Sequence, residues 1–128
     1  MKHLESFNNF KLITENMRYN HINFIPPLTV SKQSKKGLKY RKMYKLTPNE
    51  ISVNRARKLI NRDKISPIII KQMCNFFKRH KNRKIINKYK NEPWKDKNYV
   101  TYLLWGGDSG RAWSEKIRTQ IAKADKKK

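Results

Sequence analysis

The chain has 128 residues, 37% of them hydrophobic, which predicts one domain with a single small core. Its 32 Lys and Arg against 9 Asp and Glu give a net charge of +23, far above what solubility requires, so a polyanionic partner is expected. No apolar run approaches the roughly 18 residues that span a bilayer, and the single cysteine, Cys74, excludes an internal disulfide.

Residues 1–20 are predicted to form an N-terminal arm, because four asparagines interrupt a loosely helical apolar spacing. The first ten residues have no continuous apolar core, so no secretory signal is expected. An extended strap follows at residues 21–27, where a Pro-Pro pair excludes a helix. Three apolar side chains are expected to hold this strap against the core: Ile22, Phe24 and Ile25.

The first predicted helix runs from Thr29, as its N-cap, to about Lys45. Its packing side carries Val30, Gly37 and Tyr44, which are spaced seven residues apart. Because glycine is costly inside a helix, its position on this side predicts that another backbone approaches closely there.

The opposite side of this helix is basic, and five lysines share it: Lys32, Lys35, Lys36, Lys39 and Lys42. Residues 32–45 include seven basic side chains and no acidic one. Like charges four residues apart weaken a helix, so the pattern favours a binding face. The alternative is a merely solvated face, which an AT-rich genome would also produce.

The second predicted helix begins at a capping box, Thr47-Pro48-Asn49-Glu50. Its expected inward side chains are Val53, Ala56, Leu59 and Ile60. A second basic stripe is expected on its far side, and it consists of Arg55, Lys58 and Arg62.

The third predicted helix starts at Ser66-Pro67 and ends near His80, which is expected to cap its last carbonyls. Its broad apolar face is interpreted as core: Ile69, Ile70, Met73, Cys74, Phe76 and Phe77. A helix-turn-helix reader is rejected, because a recognition helix needs polar side chains free to reach base edges.

Residues 78–90 form a second run without acidic residues. This run is interpreted as an exposed connection that widens the positive surface. Five of its cations are further candidate contacts to nucleic acid: Lys78, Arg79, Lys81, Arg83 and Lys84.

Residues 93–113 hold all three tryptophans and three of the four glycines, and the core is expected to centre on them. The glycine-rich corner at 106–110 predicts a sharp turn before a last helix capped by Asp108 or Ser109. Trp105 is expected to pack near Trp113. An anion cradle is the alternative for this corner, although a carboxylate there would repel an anion.

Chemistry that would indicate an enzyme is absent from the sequence pattern. One Cys and three His show no zinc-site spacing, so neither a metal nor a cofactor is expected. A magnesium-dependent nuclease built on Glu92, Lys95 and Asp96 is not favoured, because two carboxylates beside a Pro-Trp turn are commonplace.

Several motifs together resemble an uncharacterised family of tailed bacteriophages and large DNA viruses. The motifs are, in chain order, HINFIPP at 21–27, Gly37-Leu38, Arg55-Ala56-Arg57, Ser66-Pro67 with Met73, Phe76-Phe77 and Arg79-His80, and the most specific one, W-G-G-D-x-G-x-x-W at 105–113. Members commonly carry a glycine pair where this chain has Thr47-Pro48. The resemblance supplies no catalytic residue, and it implies a virion-associated or genome-associated setting.

The sequence therefore predicts a mostly α protein, with a single compact domain of about five helices at 21–125, an extended N-terminal strap and a basic tail at 126–128. We expect a non-enzymatic viral protein that binds nucleic acid, DNA rather than RNA, through phosphates, in the virion or the cytoplasm of the infected host. Neither a membrane nor a small-molecule substrate is expected as a partner. The alternative is a structural component of the virion, a minor capsid or tail-associated protein, in which Trp94, Trp105 and the N-terminal arm dock onto another virion protein.

Overall fold

A computed structural model of the protein describes residues 18–43, 50–80, 89 and 91–126. Five α-helices make up most of these ranges, and a 3-10 helix spans Pro93–Lys95. The α-helices are α1 (Leu28–Met43), α2 (Glu50–Ile60), α3 (Pro67–Arg79), α4 (Lys97–Leu104) and α5 (Gly107–Lys126). No strand occurs within the described ranges. The predicted mostly helical architecture is confirmed.

The strap before α1 is non-helical over residues 22–27, as its two prolines predict. Ile22 and Phe24 are buried, whereas Ile25 is 44% exposed, so the expectation that all three anchor the strap is wrong for Ile25. The Ile65 N–H donates a hydrogen bond to the Phe24 carbonyl at 3.0 Å, which ties the strap to the α2–α3 link. The part of the predicted arm before residue 18 lies outside the described residues.

Helix α1 lies at the centre of the bundle and packs against α2, α4 and α5. It begins at Leu28, and the Pro27 carbonyl accepts from the N–H groups of Val30 and Ser31, so Thr29 is not the cap that the sequence predicts. A Cβ on Gly37 would lie 2.9 Å from the Leu104 backbone nitrogen, which confirms the predicted close backbone approach. Tyr44 and Lys45 lie outside the described residues.

Helix α2 buries Val53, Ala56 and Leu59, while Ile60 is only half-buried. It begins at Glu50 within the described ranges, and the predicted cap at 47–49 lies outside them. After the helix, the chain reverses through Arg62, whose φ of 54° is the left-handed conformation typical of a helix end.

Helix α3 follows its sequence prediction closely. The Ser66 hydroxyl accepts from the Ile69 N–H at 3.3 Å, and Pro67 occupies the first turn. At the other end, the His80 N–H donates to the carbonyls of Phe76 and Phe77, which are the last carbonyls it was expected to cap. The apolar face packs against α5. Five of its side chains are buried: Ile70, Met73, Cys74, Phe76 and Phe77.

The glycine corner joins α4 to α5. Gly106 and Gly107 have φ values of 108° and 61°, which a side chain adopts only with strain. Both are buried, and a Cβ on Gly107 would lie 2.6 Å from Oε1 of Gln33 in α1. Because α5 already begins at Gly107, Asp108 lies in its first turn rather than at its cap. The glycines therefore allow this corner to pack closely against α1.

Trp105 and Trp113 belong to the same buried core cluster. The Trp105 ring stacks on Phe76, with the ring centres 4.4 Å apart and the planes within 5° of parallel. The stack joins the end of α4 to α3.

Candidate nucleic-acid interface

The lysine face of α1 consists of Lys32, Lys35, Lys36, Lys39 and Lys42. All five side chains are exposed, and at 100° per residue they occupy an arc of about 120°. The opposite side of the helix holds its buried residues, which are Val30, Ser31, Ser34 and Gly37.

Two buried hydroxyls fix how α1 is rotated in the bundle. Ser34 donates to the Leu104 carbonyl at 3.0 Å, and Ser31 donates to the Ile60 carbonyl at the same distance. Because both contacts face inward, the lysine face is directed to solvent.

The lysine face is not neutralised by the described part of the chain. Within it, salt bridges join Arg18 to Asp125, Lys95 to Glu92 and Arg111 to Glu115, and none involves a lysine of this face. The Lys36 ammonium does lie 5.7 Å from the centre of the Tyr40 ring, a cation–π distance. Tyr40 in turn contacts Trp94, with ring centres 6.2 Å apart, and this pair borders the face.

The three side chains of the predicted basic stripe of α2 do not share one exposed face. Lys58 is exposed as expected. Arg62 is exposed, but its Nε donates to the Pro26 carbonyl at 2.9 Å, which places it beside the start of α1. Arg55 is half-buried and points away from Lys58, toward α3.

Arg55 is held by two neighbours. Its guanidinium donates to Oε1 of Gln72 at 2.8 Å, and its Cζ lies 5.4 Å from the centre of the Trp105 ring. Burial lowers the pKa of Arg55 below its usual value. This residue is therefore part of an interhelical contact rather than of an open stripe.

Two exposed cations on α2 and α3 are not among the predicted contacts to nucleic acid. Arg57 lies on the outer face of α2 beside Lys58, and Lys71 lies on the outer face of α3. On a helical wheel centred on the buried positions 53, 56 and 59, residues 55 and 57 both lie about 100° from the centre. The spacing alone therefore did not distinguish the exposed Arg57 from the half-buried Arg55.

The end of α3 carries Lys78 and Arg79, both of which are exposed. Three other candidates in this basic run, Lys81, Arg83 and Lys84, lie outside the described residues.

The acidic spot considered for a nuclease has structural roles. Oδ1 of Asp96 accepts from the N–H groups of Asn98 and Tyr99 and so caps α4, while Glu92 pairs with Lys95. In the described ranges, no group of three or more His, Cys, Asp or Glu side chains could hold a metal ion. None of the helices described is long and apolar enough to cross a bilayer.

The chain matches no protein-family model, no curated protein and no solved structure. The resemblance to the viral family therefore stays a prediction, and the functional argument rests on the geometry and charge of this chain alone.

Proposed function

We propose that the protein binds nucleic acid, with duplex DNA as the preferred form, through contacts to backbone phosphates. The observation that carries the proposal is the lysine face of α1: five exposed ammonium groups on one side of a helix whose other side is fixed in the core. No carboxylate among the described residues forms a salt bridge with these lysines, so an external anion is the natural counter-charge.

The dimensions of the face suit a polyanion. Lys32 and Lys42 are ten residues apart, which corresponds to about 15 Å along the helix axis. Duplex DNA carries one negative charge per about 1.7 Å of its axis, so several phosphates lie within reach of the face. Each contact releases condensed counterions and makes the affinity depend steeply on salt.

The same face offers little for reading base sequence. The exposed side chains of α1 include no Asn, Gln or Arg. Lysine can contact guanine, but a face of lysines alone offers one kind of base contact and no means of reading the other bases. We therefore expect weak sequence preference. The setting in which such binding operates, a virion or an infected cell, comes from the motif resemblance and is part of the proposal.

A salt series of gel shifts tests the proposal with two charge-matched variants. The first changes Lys32, Lys35, Lys36 and Lys39 to Glu. The control places the same change in net charge on exposed positions of α5: Lys116, Arg118, Lys123 and Lys126.

We expect the α1 variant to bind duplex DNA about 100-fold more weakly than the wild type at moderate salt, and the α5 variant to lose much less. Circular dichroism should show helical folds for both. Equal losses in the two variants, or an affinity of the wild type that does not respond to salt, would contradict the proposal.

A structural role in the virion is the second candidate. It is favoured by two large apolar side chains that lie exposed on α2 and α3, Ile51 at 61% and Ile68 at 71%. Trp105, which the sequence offered as a docking residue, is only 7% exposed and is unsuited to that use. A fixed copy number in purified particles, together with no DNA affinity of the isolated protein, would favour this candidate.

A further inference from the structure

Two exposed isoleucines lie on one surface that α2 and α3 share. Ile51 is one helical turn from Arg55 on α2, and Ile68 is one turn from Gln72 on α3. Residues one turn apart are neighbours on a helix surface, and the Arg55 guanidinium donates to Gln72 at 2.8 Å. The two isoleucines therefore flank the same interhelical contact. We call these four residues the isoleucine surface.

The isoleucine surface is concave, because α2 and α3 pack mainly against other helices. Helix α2 packs on α1 and α4, whereas α3 packs on α5. A cavity of about 450 Å³ opens between α2, α3 and the end of α4, and a groove of about 470 Å³ follows the outer side of α2. Ile51 lines both, so the two depressions adjoin at this side chain.

The isoleucines are the apolar part of this surface. Ile51 and Ile68 are both largely exposed, although isoleucine is among the side chains most often buried. Single exposed apolar residues are ordinary, but two beside one groove are typical of a surface that another molecule covers.

The border of the surface is positively charged. Arg57 and Lys58 line the groove together with Ile51, and Arg79 lines the cavity. Lys71 is exposed and lies three residues after Ile68, which makes the two neighbours on α3. Among the described residues that line the cavity and the groove, none is Asp or Glu.

This combination of groups favours an acidic protein segment as the occupant. Apolar side chains of such a segment can pack on the isoleucines, while its carboxylates pair with the cations at the border. The backbone of duplex DNA can pair with the cations, but it has no apolar side chains to cover the isoleucines. A second copy of this chain would bring a second net charge of +23 to the same place.

We propose that the isoleucine surface binds an amphipathic helix of a partner protein, whose apolar side is bordered by Asp and Glu. A groove beside packed helices is a geometry into which a further helix lays its apolar side. None of the residues that line the cavity or the groove belongs to α1, so the inference goes beyond the proposed function and does not depend on it.

The probe is a fluorescently labelled synthetic helix of about five turns, with leucines on one side and glutamates on the other. Two control peptides accompany it. In one, the same residues are scrambled so that the leucines no longer share a side, and in the other each glutamate is replaced by lysine. Fluorescence anisotropy should show that the wild-type protein binds both controls at least about tenfold more weakly than the probe.

Ile51→Ser combined with Ile68→Ser removes the apolar part of the surface. We expect this variant to bind the probe about tenfold more weakly and to bind duplex DNA as the wild type does. Because both positions are exposed, the circular dichroism spectrum should not change. Leu28→Ser combined with Met43→Ser is the matched control, since it removes two exposed apolar side chains from α1, and its affinity for the probe should stay within about twofold.

The charged border has its own pair of variants. Arg57→Glu combined with Lys71→Glu should weaken binding of the probe about tenfold. Lys116→Glu combined with Arg118→Glu makes the same change in net charge on exposed positions of α5 and should weaken it much less.

Four results would overturn the proposal. Two are equal binding of the probe and its scrambled form, and equal losses in the isoleucine variant and its matched control. The third is a dimer, seen by sedimentation velocity, that the isoleucine variant abolishes, which would assign the surface to a second copy. The fourth is a loss of duplex affinity in the isoleucine variant, which would assign the surface to nucleic acid. Failure of the wild type to bind duplex DNA overturns the proposed function instead and leaves binding of the probe as expected here.

Discussion

The lysine face of α1 and the Arg55 contact between α2 and α3 use the same kind of charge in opposite ways. The lysines are exposed, and no hydrogen bond or salt bridge orients their ammonium groups among the described residues. Arg55 is half-buried and fixed between Gln72 and Trp105. The exposed lysines can pair with an external anion, whereas the charge of Arg55 is used in a contact that joins α2 to α3 and to Trp105.

The contact that supports both regions is the close approach of Gly37 to Leu104. In Gly37→Leu, the added side chain collides with backbone, and we expect the free energy of unfolding to fall by about 3 kcal/mol. Urea denaturation measures this loss. The neighbouring exposed substitution Lys36→Leu is the control, with an expected change within about 0.5 kcal/mol. Similar stabilities of the two variants would show that α1 does not rest on α4 in this way.

The hydrogen bond that fixes the Trp105 ring can be tested at Ser52. In Ser52→Ala, the buried Trp105 N–H loses its acceptor, so we expect a loss of about 2 kcal/mol in stability. Ser52 is an uncharged residue of α2, so the salt dependence of duplex binding should stay as in the wild type. A variant with normal stability and unchanged tryptophan fluorescence would mean that this hydrogen bond does not hold the ring.

Matched neutral substitutions separate exposed from oriented charge. Lys35→Gln should leave stability within about 0.5 kcal/mol of the wild type and lower the slope of log affinity against log salt by about 0.9. Arg55→Gln should cost about 1 kcal/mol, because it removes the contacts to Gln72 and Trp105. Thermal unfolding and the salt series measure the two effects. If the two variants behave alike, the distinction between the regions is wrong.

The smallest expected change in stability near neutral pH comes from Tyr102→Phe. The Tyr102 hydroxyl donates a hydrogen bond to Asp108. Burial, and then this hydrogen bond, raise the pKa of Tyr102 from 10.0 to about 12. The unfolded chain releases the proton first, so this contribution to stability is complete below pH 10 and is lost between about pH 10 and pH 12. Absorbance titration should reveal a late-ionising tyrosine that Tyr102→Phe lacks. A titration unchanged by the substitution would contradict the assignment.

Local signals in the sequence were sufficient for much of the fold. The Ser66-Pro67 start of α3 and its apolar face were predictable, because a cap and a 3.6-residue period act within one helix. The close approach at Gly37 was predictable for a related reason: a residue this unfavourable in a helix needs a packing reason.

The candidate site was less predictable. The exposed lysines of α1 follow from helical spacing alone, but Arg55 lies on a boundary of the α2 wheel, and only the positions of α3 and Trp105 turn it inward. Asp96 was considered as a metal ligand, although its role as the cap of α4 required knowing where that helix begins.

By itself, the sequence determined the helical class, the surplus of positive charge and the face of α1 on which that charge lies, because composition and period are properties of the chain alone. The tertiary structure decided which cations remain exposed and which ring Trp105 stacks on. These features depend on distances between residues far apart in the chain, which only the packing of the helices sets.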